Sequence, residues 1–181
     1  MASAFTHAIA GLALGTAFRR RHTSPRYWIA GAVIAALPDV DGVGFWLGVP
    51  YESTFGHRGF THSIFFAALI ALAALIFFRD RAYDGERPRL WTYLFLATAS
   101  HGVLDAMTTG GGGIAFFAPF VNERYFFPWR PILVSPMSIS RFFSERGLRI
   151  IASEIVWVWI PAGIFAAMSL SFLRAKRRTT D

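Results

Sequence analysis

Five apolar runs, each close to the thickness of a bilayer, constrain this chain more than any other feature. They cover Ala2–Phe18, Tyr27–Val49, Phe60–Phe78, Leu90–Met107 and Ile151–Phe172. A helix needs about 17–25 mostly apolar residues to cross roughly 30 Å of hydrocarbon. Only 16% of the 181 residues are charged, against about 25% in soluble domains. The sequence predicts an all-α, polytopic membrane helical bundle of about five transmembrane helices, forming a single domain over residues 1–181.

The basic residues predict the orientation of this bundle. They concentrate in three segments between or after the runs, at 19–26, 79–89 and 174–178. Because Lys and Arg near span ends favour the cytoplasm, we expect the N-terminus outside and the C-terminus inside. This topology accounts for the net charge of +7, so no nucleic-acid partner is expected. Residues 108–149 would form a long extracytoplasmic loop before the last helix, acting either as a lid or as a lipid anchor.

Seven ionisable residues interrupt the apolar runs, and an eighth, His57, lies just before the third run. These are His7, Asp39, Asp41, His57, His62, His101, Asp105 and Glu154. Charged groups inside a bilayer cost several kcal/mol and tend to be functional. Under the predicted orientation all eight lie in the outer half of the membrane, although none of them was used to derive it. The sequence therefore predicts one polar cluster toward the outer face.

Two spacings give this cluster a geometry. His101 and Asp105 are four positions apart, so they share one face of a helix and form a clamp suited to a metal. Asp39 and Asp41 are two positions apart, which on a regular α-helix points them to nearly opposite sides. Pro38 and Gly42 should break the helix there. Either both carboxylates then turn inward, or one binds the metal and the other orients a histidine.

The donor set favours a divalent metal over a purely structural network. The candidate ligands are His7, Asp41, His57, His62, His101, Asp105 and Glu154. Imidazoles with carboxylates suit one or two Zn²⁺ ions, with Mn²⁺ or Fe²⁺ as alternatives. Each residue also has a simpler interpretation, as a hydrogen-bond partner between helices or a helix cap, and Glu154 could pair with Arg149 or Arg58. Arg58 could hold a phosphate or extend to the membrane surface as an interfacial charge.

Four motifs resemble the YdjM-like family. They are Thr6-His7, Pro38-Asp39-Val40-Asp41, His57-Arg58-Gly59-Phe60-Thr61-His62-Ser63, and His101 with Leu104-Asp105. Members of that family are described as inner-membrane, metal-dependent hydrolases of bacteria and archaea, distantly similar to zinc-dependent phospholipase C. The resemblance implies ligands at His7, Asp41, His62, His101 and Asp105, with Asp105 bridging two zinc ions. It also implies that Asp39 or Asp41 assists an attacking water.

The expected function is hydrolysis of a phosphoester by metal-activated water. The substrate would be a lipid or another phosphate-containing amphiphile that reaches the site from the bilayer. Asp39 or Asp41 would act as the base and Arg58 would steady the phosphate. The alternative is a non-catalytic protein that binds a divalent metal, as a transporter, a sensor or a structural element. The cysteine-free sequence excludes a thiol nucleophile, and no feature of it predicts an oligomeric state.

Overall fold

The regular secondary structure of the described residues is all helical. The computed structural model describes residues 1–20, 23–79, 83, 85–136 and 144–178. Its α-helices are α1 (Ala4–Phe18), α2 (Pro25–Ala36), α3 (Ile64–Ala74), α4 (Arg87–Ala106), α5 (Glu145–Glu154) and α6 (Ile160–Arg178). The extended contacts among these residues are two isolated bridges, between Thr108 and Ile132 and between Ile114 and Tyr125. The all-α prediction is confirmed.

Serine and proline residues define where several helices begin. The Ser3 hydroxyl accepts a hydrogen bond from the Thr6 amide at 3.3 Å, and Ser63 does the same for Phe66 at 3.0 Å. Such caps satisfy one of the amide donors that a helix start leaves without a partner. Pro25 occupies the first turn of α2, where its missing N–H costs nothing.

The second apolar run changes helix type part of the way along. α2 ends at Ala36, and a 3-10 helix continues from Leu37 to Phe45. Pro38 lacks the N–H that would continue the α-helical bonding. At Pro38, where a break was expected, the chain changes from an α-helix to a 3-10 helix. The 3-10 helix ends at Phe45, four residues before Val49, the predicted end of the span.

The last helix is longer than the sequence indicated. α5 begins at Glu145, six residues before Ile151, and a π-helix from Ile155 to Trp159 joins it to α6. The loop predicted over residues 108–149 therefore ends before Glu145. Residues 137–143 of that loop lie outside the described residues, as do 21–22, 80–82 and 84 of the basic segments.

Helices α1, α2 and α4 form the centre of the bundle, with α6 packed on α1 and α3 on α4. Two buried tyrosines cross it. The Tyr27 hydroxyl donates to the Gly15 carbonyl at 2.8 Å, and the Tyr93 hydroxyl donates to the Gly11 carbonyl at 3.1 Å. Because these donors bond backbone carbonyls of α1, they fix its position against α2 and α4.

Within the described residues, two helices are long and apolar enough to cross a membrane, Pro25–Phe45 and Glu145–Lys176. The apolar helices Ala4–Phe18 and Ile64–Phe77 are shorter. At about 1.5 Å per residue, a helix the length of α1 falls short of roughly 30 Å. Two of the five predicted spans thus have the required length and composition, and the five-span bundle stays a prediction.

The basic segments gather at one end of the bundle. An Arg89 Nη2 donates to the Arg19 carbonyl at 3.2 Å, and Ser24 bonds Tyr83 at 2.8 Å. Helix α6 runs parallel to α1, because Trp159 contacts Thr6 while Ala166 lines the same groove as Thr16. The end of α6 therefore lies with the other two basic segments. We call this the basic end, and the opposite end, which contains His7, His101 and Asp105, the site end.

Candidate metal centre

Four side chains at the site end form a compact group. Asp39 comes from the 3-10 helix, His62 from the short 3-10 helix Phe60–His62, and His101 and Asp105 from α4. One candidate ligand atom of each lies within 4.8 Å of the others. The distances are 3.1 Å between the two Nε2 atoms, 3.3 Å from His101 Nε2 to Asp39 Oδ1 and 3.8 Å from His62 Nε2 to Asp105 Oδ2. Ligands of tetrahedral zinc, with bonds of about 2.0–2.1 Å, stand roughly 3.3 Å apart.

The hydrogen bonds of the two histidines assign their tautomers. His101 Nδ1 lies 2.8 Å from the Ala35 carbonyl oxygen, and His62 Nδ1 lies 3.2 Å from Asp41 Oδ2. Each acceptor places the proton on Nδ1 and leaves a lone pair on Nε2. The two Nε2 atoms lie 3.1 Å apart, and with both rings neutral in these tautomers their lone pairs would face each other. This arrangement is unfavourable by itself and favourable with a cation between the rings.

Buried polar atoms without hydrogen-bond partners surround the same point. Among the described residues they are both oxygens of Asp39, both ring nitrogens of His7 and Oδ2 of Asp105. Buried polar atoms are normally hydrogen-bonded, and a buried carboxylate without donors, as at Asp39, is costly. The donor set, imidazole nitrogens with carboxylate oxygens, is the set that divalent metals take. The residues therefore fit a divalent ion.

His7 extends the group on its far side. Its Nε2 lies 3.4 Å from Asp105 Oδ1 and 4.0 Å from Asp39 Oδ2. Its ring stacks on that of His101, with centroids 3.6 Å apart. Each of the two carboxylates thus turns one oxygen toward His62 or His101 and the other toward His7. Asp39 and Asp105 are arranged as groups that two ions could share.

Asp41 lies in a second group, with His57 and His62. Its Oδ1 is 2.6 Å from His57 Nδ1, and its Oδ2 accepts hydrogen bonds from the Thr61 hydroxyl at 2.5 Å and the Arg58 amide at 3.2 Å. Asp41 therefore orients His57 and His62, the role that the second predicted arrangement gives to one aspartate, and these three residues are themselves close enough together to hold an ion. Asp39 faces the four-residue group, and Asp41 holds His62 and His57 from behind.

Arg58 is buried, with 1% of its surface exposed, so it is not an interfacial charge. Its Nε lies 3.3 Å from Asp105 Oδ2, Nη1 donates to the Gly110 carbonyl at 2.8 Å, and Nη2 donates to the Thr108 hydroxyl at 3.1 Å. The guanidinium therefore places a positive charge beside Asp105 and fixes the start of the glycine-rich segment. The phosphate-holding role predicted for Arg58 stays a prediction.

Glu154 belongs to neither group. Its carboxylate accepts hydrogen bonds from Ser3 and Thr6, at the start of α1. The alternative pairings with Arg149 and Arg58 are wrong as well. Arg149 pairs with Glu145 at 2.7 Å, and Arg58 pairs with Asp105. The buried carboxylate of Glu154 therefore accepts hydrogen bonds at the start of α1 and does not face the candidate metal centre.

Three contributors to the site were missed by the sequence interpretation. Thr61 bridges Asp41 and His62, and Thr108 receives Arg58. The Ala2 amide donates to Asp105 Oδ1 at 2.7 Å. Thr61 lies beside His62 in the chain, and that adjacency was a usable signal. A backbone amide such as that of Ala2 has no signature in the sequence.

Two comparisons with known proteins agree on the kind of protein to which this chain is similar. The sequence model of the family described as YdjM inner membrane protein matches residues 1–178. The inner membrane protein YbcI of Escherichia coli (strain K12) is 39% identical over 168 residues, which cover 93% of this chain and 96% of that protein. No solved structure matches the chain. The similarity therefore extends over nearly the whole length of both chains.

Proposed function

Since the chain belongs to the YdjM inner membrane protein family, as its motifs predicted, we propose that it is a membrane-bound, metal-dependent hydrolase of phosphoesters. The observation that carries the proposal is the buried group of Asp39, His62, His101 and Asp105. The Nε2 atoms of two imidazoles face each other there, beside carboxylate oxygens that lack hydrogen-bond donors. Such a group is costly without a cation and favourable with one.

The metal we propose is Zn²⁺, as one or two ions. Mixed imidazole and carboxylate ligands suit zinc, with manganese and iron as alternatives. The first ion would be held by His62, His101, Asp39 and Asp105. The support for a second ion is His7, which faces the remaining oxygens of both carboxylates.

A divalent ion in such a site supplies Lewis acidity toward a phosphoryl oxygen and lowers the pKa of water to about 7. The protein's own residues divide the remaining work. Asp39 has the most exposed carboxylate of the group, at 9%; with one ion bound, its oxygen turned away from that ion is our candidate for the base that receives a proton from the attacking water. Asp41 keeps His62 Nε2 aimed at the centre. Arg58 adds positive charge beside Asp105, where it would favour a bound phosphate.

The surroundings of the group favour an amphiphilic substrate. Large apolar side chains near Asp39, Asp41 and His57 in the chain are exposed, namely Val40, Val43, Phe45, Trp46 and Phe55. Exposed aromatic and aliphatic residues of this kind mark a surface that contacts lipid. We propose a lipid or lipid-linked phosphoester that enters sideways from the bilayer, with the chain in a bacterial or archaeal inner membrane.

Elemental analysis of the detergent-purified protein tests the metal directly. We expect one or two equivalents of zinc in the wild type and substoichiometric metal in His62→Ala and Asp105→Ala. Glu145→Ala, at an exposed position on α5, serves as the control and should keep the wild-type content. The same four proteins are then screened against phosphodiester and lipid phosphate substrates, with and without chelator. A metal-free wild type, or full hydrolysis by both site variants, contradicts the proposal.

A second candidate is a protein that binds the metal without catalysis. It is favoured by the burial of His62, His101 and Asp105, whose side chains are 0% exposed. It predicts stoichiometric metal with no chelator-sensitive hydrolysis of any phosphoester in the screen. Transport is disfavoured, because the described core toward the basic end is built from residues such as Leu90, Leu94 and Ala97, which offer no ligand.

A further inference from the structure

We infer that Glu154 is a positioning residue of the candidate metal centre, acting through the segment in which α1 begins; the inference rests on the function proposed above. Glu154 is 0% exposed. Its Oε1 accepts a hydrogen bond from the Ser3 amide at 2.5 Å. Its Oε2 accepts two more, from the Ser3 hydroxyl at 2.6 Å and the Thr6 hydroxyl at 2.8 Å. The Glu154 carboxylate thus joins the last helix to Ser3 and Thr6, which lie about 150 positions away in the chain.

The chemistry of these contacts suits a fixed carboxylate. All three donors are uncharged, so the negative charge of Glu154 is stabilised by hydrogen bonds and by its place at the start of α1. The N-terminus of a helix carries a partial positive charge that favours an anion. Hydrogen bonds to a charged group are stronger than those between neutral groups. The segment before α1 is therefore held more firmly than a capping serine alone would hold it.

The π-helix after Glu154 adds a second attachment. A π-helical turn contains an extra residue and changes which side chains face a neighbouring helix. Here it brings Val158 into the core beside Ala2 and directs Trp159 Nε1 to the Thr6 hydroxyl at 2.7 Å. Thr6 Oγ1 therefore accepts from Trp159 while it donates to Glu154. The two helices are joined at this point by a chain of hydrogen bonds with a defined direction.

The neighbours of Ser3 and Thr6 in the chain contact the candidate metal centre. Ala2 precedes Ser3, is fully buried and donates its amide to Asp105 Oδ1 at 2.7 Å. Thr6 precedes His7, whose Nε2 faces Asp105 and Asp39. When Ser3 and Thr6 are fixed, so are their neighbours in the chain: the Ala2 amide, which donates to Asp105, and the side chain of His7. Asp105 and His7 are both predicted ligands. Loss of such supporting partners typically weakens metal affinity about 10–100-fold.

The test compares the Zn²⁺ affinity of full-length variants by competition with a chromophoric chelator. Glu154→Leu removes every acceptor, and we expect Zn²⁺ binding about 10–100-fold weaker. Glu154→Gln keeps one acceptor for the Ser3 amide, and its NH₂ can donate to the two hydroxyls once these rotate, so it should restore affinity to within a few-fold of wild type. Glu145→Leu is the matched control on the same helix. Its side chain is 81% exposed, and its affinity should not change.

Hydrogen exchange of the metal-free proteins, measured by mass spectrometry over residues 1–7, gives a readout that needs no metal. We expect faster exchange in Glu154→Leu and protection close to wild type in Glu154→Gln. If Glu154→Leu does not fold, Ser3→Ala replaces it, with a several-fold loss of affinity expected. A folded Glu154→Leu with wild-type affinity and wild-type exchange overturns the inference. A wild type that binds no Zn²⁺ overturns the proposed function instead, and the exchange data then decide alone whether Glu154 orders this segment.

Discussion

Asp39 and Asp41 show how helix type decides the roles of single residues. On an α-helix with about 3.6 residues per turn, positions two apart point roughly 160° away from each other. On a 3-10 helix with about three residues per turn, the difference falls to roughly 120°. The 3-10 helix Leu37–Phe45 therefore lets both carboxylates reach the site end, Asp39 toward His101 and Asp41 toward His57.

This division of roles predicts different losses for the two aspartates. Asp39→Ala removes a ligand and should leave the purified protein with substoichiometric zinc. Asp41→Ala removes none of the four residues of that group, only the acceptor that orients His62 and His57, so zinc should still bind at full stoichiometry with affinity about 10–100-fold weaker. Elemental analysis and chelator competition measure the two quantities. Identical behaviour of the two variants would contradict the assignment of Asp39 as ligand and Asp41 as its support.

Gly111 gives a second prediction at the level of one residue. It adopts a φ of +94°, and a Cβ there would overlap the Arg58 guanidinium. Gly111→Ala should therefore lower stability twice, through a backbone cost of about 1–2 kcal/mol and by displacing Arg58 from Asp105. Gly85→Ala is the matched control: Gly85 has a φ of +80° with open space around it, so its substitution should carry the backbone cost alone. We expect the larger fall in thermal midpoint, measured in detergent, for Gly111→Ala; equal falls would show that Arg58 is not held by this contact.

At the level of elements, the existence of the helices could be predicted, but their internal form could not. An apolar run of bilayer length favours a helix of any type, because its backbone groups must bond within the segment. Pro38 signalled a disturbance in the second run, and the structure resolves it as a 3-10 helix. Nothing in Ile155–Trp159 signals a π-helix, and the hydrogen bond from its last residue, Trp159, to Thr6 joins distant parts of the chain.

The packing of α1, α2 and α4 gives a prediction at this scale. A Cβ on Gly31 of α2 would overlap the hydroxyl of Tyr93, a buried side chain of α4. Gly31→Ala should therefore push the helices apart and cost about 1–3 kcal/mol, as overpacking of a core does. Gly163→Ala on α6 has open space around it and should be neutral or gain up to about 1 kcal/mol from helix propensity. Thermal unfolding in detergent compares the two, and an unaffected Gly31→Ala would contradict the close packing.

For the molecule as a whole, convergence of the ionisable residues could be predicted, but their individual partners could not. Counting the spans placed all eight at one side, and the structure brings His7, His62 and His101 together with Asp39 and Asp105. Glu154 reaches the same end and yet turns to Ser3 and Thr6. Its direction depends on how the last helix packs on the first, which spacing within one segment cannot reveal.

The last prediction concerns the orientation of the molecule in the membrane. The basic segments share one end, and by the positive-inside rule that end faces the cytoplasm, so the site end should face outward. The chain contains no cysteine, so single substitutions give clean labels. Asn122 and Arg174 are exposed, Asn122 beside Thr54 at the site end and Arg174 near the end of α6.

In intact spheroplasts, a membrane-impermeant maleimide should label Asn122→Cys, and it should label Arg174→Cys only after lysis. The cysteine-free parent chain is the control for background labelling. The reverse pattern would place the metal group toward the cytoplasm, where a substrate in the outer leaflet could not reach it. Labelling of both sites without lysis would mean that the last helix does not cross the membrane. The orientation thus decides which leaflet supplies the substrate, and it follows from charges that take no part in the chemistry.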